Sequence, residues 1–354
     1  MGRSEVVLPE AAPLSSSSAA PRSPPPPPPP PVHTLATLSG AILVYPSALG
    51  EQSSRVAGER ATAVAETWAA ADNVGPLRVF FLLDHPSPAF MNVTSSPTHT
   101  VLSPPATHNA TPAARLSWAV GAIDEALPSL GFLLKVDDVT YVRTFFLLTL
   151  TPWARSRELL FYGLPLQVPG MEVPFASGGA GYLLSGEAVR RGLVGCTSRE
   201  AAEDLWTARC LGAAGTRVID LDDEEGRPRF LAFGPGTMLE KGPAVYPTPS
   251  DWFINYRRPF GGVRTGTVDC CAPDLITLHY ILPDEMRSLH YVLNDMQTDE
   301  SMRSAAGADE ETWPANEAPF YAGRNADLVR SFLLDHLAID GGEHHALQLL
   351  GRTL

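Results

Sequence analysis

Three short apolar runs, Ala41–Tyr45, Leu77–Leu83 and Gly131–Val136, limit most strongly what this chain can fold into. Each has the length and continuity of a strand buried on both faces. Between the first two lies a helical stretch, Glu51 to Ala71, with Val56, Ala63, Val64 and Trp68 at helix-compatible spacing. Strand, helix, strand in that order points to a parallel sheet. The second run closes on Asp84-His85-Pro86, and the Ser, Thr, Pro and Asn content from Pro86 to Pro112 marks a loop. Helical periodicity returns over Leu116–Leu127, and the third run then stops at Asp137-Asp138. In open α/β sheets ligands bind beyond the carboxyl ends of the strands, so chemistry is expected there.

The rest of the chain reads as appendages to one domain. With 354 residues, 44% of them hydrophobic, it can bury a sizeable core, but 34 prolines mean that not all of it folds. Residues 1–33 combine Ser15–Ser18 with the unbroken run Pro24–Pro31, a composition that favours extended polyproline II and suits a disordered stalk, or a ligand for a proline-binding module. The globular domain is expected over 34–298. An acidic, alanine-rich extension of unknown role follows over 299–354, with a helix-like stretch at Asp327–Leu337. A net charge of −13 offers no footprint for a nucleic-acid backbone.

Indicators of location conflict. No apolar run approaches the roughly 20 residues of a membrane span; Ala41–Tyr45 and Phe145–Leu150 are far too short, and no signal peptide is visible. The chain is therefore cytosolic, or its targeting segment lies outside this sequence. The sequons Asn92-Val93-Thr94 and Asn109-Ala110-Thr111 lean towards secretion, although Pro112 follows the second. Four cysteines, with Cys196 and Cys210 bracketing a short segment and Cys270 beside Cys271, fit either disulfides in an oxidising compartment or buried free thiols.

Several segments could carry chemistry. Asp137-Asp138 could hold Mg²⁺ or Mn²⁺ against a diphosphate, or cap a solvated turn. Phe175–Ser185 places Gly178, Gly179 and Gly181 before a helix beginning near Ser185, which suits close approach of a ligand or simply a tight turn. Glu203-Asp204 sits between Cys196 and Cys210 on a helix suggested by Ala201–Leu211, an acidic pair that a disulfide across the segment would fix in place, or an exposed face. Asp251–Tyr256 offers aromatic faces for a sugar. His279, in an alternating strand over Leu275–Tyr280, is a core histidine or a metal ligand.

In order and separation, these segments resemble the core 1 β1,3-galactosyltransferases of glycosyltransferase family 31, with Fringe-type enzymes as more distant relatives. The resemblance covers roughly Leu38 to Gln297. It rests on Arg60–Trp68 ending in Thr67-Trp68, on Lys135–Val142, on the loop Ser177–Ser185, and on Cys196–Cys210 enclosing Glu203-Asp204-Leu205. Glu225-Gly226-Arg227, Phe230–Pro235, and Cys270-Cys271 through His279-Tyr280 complete it.

The resemblance implies a GT-A fold, with a Rossmann-like, mostly parallel sheet flanked by helices. It implies inverting transfer of galactose from UDP-galactose to the 3-hydroxyl of N-acetylgalactosamine on Ser or Thr of a glycoprotein acceptor. Asp204 would be the base with Glu203 beside it; Lys135, Asp137, Asp138, Gly178 and Gly179 would border the donor; Trp252 and Tyr256 would form an acceptor platform. His279 and Asp138 would hold Mn²⁺. Cys196–Cys210 would be a disulfide, Cys270–Cys271 a candidate vicinal one, and a homodimer in the Golgi lumen would fit the family. One departure matters: the family's acidic motif has a third aspartate that binds the metal, and here that position is Val139. A valine cannot ligate a cation, so three outcomes compete: an active enzyme with altered metal use, an enzyme of related β1,3-transfer with a different donor or acceptor, and an inactive relative that chaperones or binds an active transferase.

Overall fold

The computed structural model describes residues 39–47, 53–108, 111–148, 158–234, 251–262, 271–272, 274–291 and 293. The proline-rich segment 1–33, the sequon residue Asn109, Pro235, Cys270 and the extension 299–354 lie outside the described residues.

In chain order the elements begin with β1 (Gly40–Tyr45), α1 (Ser53–Glu66), α2 (Ala71–Val74), β2 (Arg78–Leu82), α3 (Pro88–Val93), β3 (His99–Leu102), α4 (Pro112–Ala126) and β4 (Phe132–Asp137). Then come β5 (Tyr141–Val142), β6 (Phe161–Gly163), β7 (Pro165–Leu166), β8 (Phe175–Ala176) and β9 (Tyr182–Ser185). They are followed by α5 (Gly186–Ala188), α6 (Glu203–Ala213), β10 (Phe230–Leu231), α7 (Asp251–Arg257), β11 (Thr277–Leu278) and α8 (Pro283–His290).

The three apolar runs form the centre of a six-stranded sheet ordered β3-β2-β1-β4-β9-β6. β1, with every residue buried, pairs in parallel with β2 through Ile42 and Val79, and with β4 through Ile42 and Leu134. β2 pairs in parallel with β3. β9 lies antiparallel to β4, and β6 antiparallel to β9, so five of the six strands run one way. Helices flank this sheet in two groups, α1 with α3 and α8, and α4 with α6. The result is the mostly parallel α/β architecture expected from sequence. Two small sheets, β10-β11-β5 and β7-β8, lie beside it.

Boundaries shift for local reasons. α1 ends at Glu66 instead of Ala71: the Thr67 hydroxyl bonds back to Ala63 O, and Ala69 N reaches Val64 O, so the chain turns and buries Trp68. The expected loop 86–112 contains both α3 and β3. β3 is a four-residue edge strand whose residues are all half-buried, so it lacks an apolar signature. The ends of this stretch are nevertheless legible, since Ser87 and Thr111 cap α3 and α4 and each is followed by proline. Likewise Ser185 ends β9 and caps α5.

Cys196 and Cys210 form a disulfide with a Cα separation of 5.9 Å. Cys271 is also disulfide-bonded. Among the described residues no helix is long and apolar enough to cross a membrane.

Candidate active site

A lysine inside a buried strand needs compensation, and Lys135 shows where the site is. Its ammonium lies 2.6 Å from Asp137 Oδ1 and 2.5 Å from Glu203 Oε1, and donates to Gly178 O at 3.1 Å. Its charge also faces the rings of Tyr45 and Tyr182, at 4.9 and 5.7 Å. The two carboxylates hold its pKa above the ordinary lysine range against the opposing effect of burial. All three N–H groups are thus taken by the protein. Lys135, expected to border the donor, ties the end of β4 to the start of α6.

Glu203 is equally committed. Its second oxygen accepts from the Tyr182 hydroxyl at 2.7 Å, and Tyr182 also contacts the Thr207 hydroxyl at 3.1 Å. Burial pushes the Glu203 pKa up to about 7 although Lys135 opposes it. Asp204, one residue on, is half-buried; Oδ1 accepts from Leu205 N at 2.8 Å, and burial raises its pKa.

The glycine loop between β8 and β9 is glycine because it is pressed against these groups. A Cβ on Gly178 would overlap Glu203 Oε1, and one on Gly179 would overlap the His279 imidazole. Gly181 has φ +84°, and its Cβ would meet Lys135 O at 2.8 Å. Hydroxyls fix the loop from the other side, Thr140 to Gly179 O at 2.8 Å and Thr277 to Ala180 O at 2.6 Å.

His279 is buried, and burial lowers its pKa, so the ring is neutral. Nδ1 lies 3.0 Å from Ala232 O, a contact that requires the proton there and leaves the Nε2 lone pair free. Nε2 faces Asp137 Oδ2 at 3.8 Å. Asp138, expected to share a cation with His279, lies in the turn just past the end of β4. Its Oδ1 instead accepts from Ser47 N at 3.1 Å and the Ser47 hydroxyl at 2.6 Å, with Arg60 at 3.9 Å. Burial pushes Asp138 up to about 6, and its Oδ2 has no hydrogen-bond partner among the described residues. Val139 is buried and apolar, and its backbone carbonyl accepts from Ile281 N. No group of three or more potential ligating side chains occurs among the described residues.

Trp252 and Tyr256, at i and i+4 on α7, meet edge to face with centroids 5.3 Å apart. They end a row of rings that sequence reading does not assemble: Phe233 lies 6.4 Å from Trp252 and stacks on Tyr280 at 6.1 Å, and Tyr280 lies 3.9 Å from the His279 ring. Trp252 is 45% and Tyr280 53% exposed. Tyr280 also has φ +60°, a backbone state costly for an aromatic residue. The row joins the His279 end of the mouth to α7, presenting aromatic surface beside the carboxylates.

No family model matches the sequence. The chain is 29% identical over 167 residues to glycoprotein-N-acetylgalactosamine 3-beta-galactosyltransferase 1 of Xenopus laevis, a match covering 46% of this chain and 45% of the relative. The chain thus spans less than half the length of that curated relative. Among solved structures it is similar to galactosyltransferase LgtC in complex with donor and acceptor sugar analogs (13% identity, 78% of this chain, 97% of that one, TM-score 0.39). It is also similar to the mannosyltransferase PcManGT from Pyrobaculum calidifontis in complex with GDP-Man and Mn²⁺ (12% identity, 89% and 84%, TM-score 0.33). At these TM-scores neither likeness bears on substrate or mechanism.

Proposed function

We propose that this chain is a GT-A glycosyltransferase that moves galactose from UDP-galactose, with inversion, to the 3-hydroxyl of O-linked N-acetylgalactosamine in the secretory pathway. One observation carries the reading. Asp137 and Glu203 grip one buried lysine at the carboxyl end of the sheet, with Asp204 next to Glu203 in the chain and His279 facing Asp137, beside an exposed aromatic row. The name of the Xenopus relative supports the choice of sugars.

In this reading Asp204 is the base. Both oxygens of Glu203 are occupied by Lys135 and Tyr182, whereas Asp204 keeps Oδ2 for a substrate. As the acceptor oxygen bonds to the sugar's anomeric carbon, the bond from that carbon to the diphosphate breaks, and Asp204 takes the hydroxyl proton. Its raised pKa improves it as a base. Trp252 and Tyr256 orient the acceptor ring, and Asp137 and Asp138 border the nucleotide. His279 suits a cation, since its free Nε2 faces Asp137. His279 and Asp137, more than Asp138, would hold Mn²⁺ together with the diphosphate. When bound, such an ion neutralises charge on the departing group.

The apolar Val139 favours a second reading, an inactive relative that binds a partner transferase. Incubation with UDP-galactose and an O-linked N-acetylgalactosamine peptide, with and without Mn²⁺, separates the two. Transfer supports the enzyme; no hydrolysis, transfer or nucleotide binding under either condition overturns it.

A further inference from the structure

Outside the carboxylate mouth, one side chain is committed on every nitrogen. Arg257, the last residue of α7, is 4% exposed. Nη1 lies 2.9 Å from Asp220 Oδ2 and donates to Pro165 O at 3.2 Å; Nη2 lies 3.3 Å from Asp222 Oδ2; Nε donates to Gly262 O at 3.3 Å. Its plane lies 5.9 Å from the Phe260 ring. A grip on two carboxyl groups by a planar guanidinium fixes orientation as well as position.

The helix that carries it needs such a grip. Seven residues are too few to hold a helix in water by themselves. The spacing then divides the work. Trp252 and Tyr256 stand four apart on one side; Phe253 and Arg257, also four apart, are both buried against the body. A backbone bond, Gln167 N to Tyr256 O at 3.0 Å, assists just past the end of β7.

We infer that Arg257, clasped by Asp220 and Asp222, is a positioning residue that sets the Trp252–Tyr256 pair at the angle an acceptor sugar ring stacks on. This rests on the acceptor role proposed for that pair. The clasp acts through the helix and touches no substrate, so its loss weakens acceptor binding and leaves donor binding intact. Lysine cannot replace it, because one ammonium cannot span both carboxyl groups and two carbonyls in the same geometry.

The test compares the full chain with Arg257→Gln and Arg257→Lys. Hydrogen exchange over residues 251–262 reads the clasp independently of function. Affinity for an O-linked N-acetylgalactosamine peptide and for UDP-galactose reads its consequence. The expected result is at least tenfold faster exchange over 251–262 with β1 and β4 unchanged, at least tenfold weaker peptide affinity, unchanged nucleotide affinity, and no rescue by lysine. Unchanged exchange overturns the clasp, and so does faster exchange with peptide affinity intact. Global loss of protection in the Gln variant would leave the Lys variant to decide by the same criteria. A parent chain that binds UDP-galactose but no glycopeptide overturns the acceptor role, while exchange still decides whether Arg257 holds the helix. A parent that binds neither overturns the proposed function itself.

Discussion

Glu203 and Asp204 stand side by side at the start of α6, and their surroundings separate their roles. Asp204→Asn keeps the shape and removes the proton acceptor, so transfer should fall roughly 10²- to 10⁴-fold with the melting temperature and UDP-galactose affinity nearly unchanged. Glu203→Gln removes a partner of a fully buried ammonium, and should cost about 3–5 kcal/mol in denaturant unfolding. If the two variants behave alike, the division of roles is wrong. Asp222 makes a pH prediction. Burial first, then Asp220, pushes its pKa to about 8 from an ordinary 3.8; Arg257 opposes the rise and Asp223 adds to it. Between these values the native state holds a proton that the unfolded chain has released. The stabilisation is complete below 3.8 and is lost as pH rises through about 8, at up to about 1.4 kcal/mol per pH unit. Asp222→Asn cannot titrate, so its stability should vary less between pH 5 and 8 than the parent's; parallel curves would rule this out.

Among the elements, the glycine loop between β8 and β9 is the most exacting. Ala at Gly179 would drive the His279 ring off Ala232 O and away from Asp137, so Gly179→Ala should lose at least tenfold in transfer and any Mn²⁺ dependence. Normal turnover and metal response in that variant would show that the ring has room. This loop also shows what a sequence can disclose. Its glycines are legible as a place of close approach, but what approaches is Glu203 and His279, neighbours far along the chain whose contact no local pattern encodes. The central strands are legible because burial on both faces requires continuous apolar runs. β3 is not, because an edge strand can be short and polar. Asp137 and Asp138 look interchangeable as text; the first ends β4 and meets Lys135 and His279, the second opens the turn that follows and meets Ser47. Tyr280 and Phe233 join the aromatic row only once β10 and β11 are paired.

Across the molecule, the candidate base hangs on a segment that has little regular structure of its own. The residues before α6 are held at three points: the Cys196–Cys210 disulfide, the Ala113 N to Ala201 O bond at 3.0 Å, and the Arg209–Glu200 ion pair at 3.3 Å. The ion pair is partly exposed and contributes little. Closing a loop of 14 residues contributes about 3 kcal/mol, mainly by restricting the unfolded chain. The bond also ties the connection leading into α6 back to the helix's last turn, so its removal should loosen that connection and the first turn it enters, where Glu203 and Asp204 sit. Cys196→Ser with Cys210→Ser is therefore expected to lower unfolding free energy by about 3 kcal/mol and to reduce turnover several-fold, while UDP-galactose affinity holds. Reductant should reproduce both effects in the parent and neither in the double variant. Should the double variant match the parent in stability and turnover, α6 is held in place by the sheet and α4 alone, and the cysteines have no part in presenting the base.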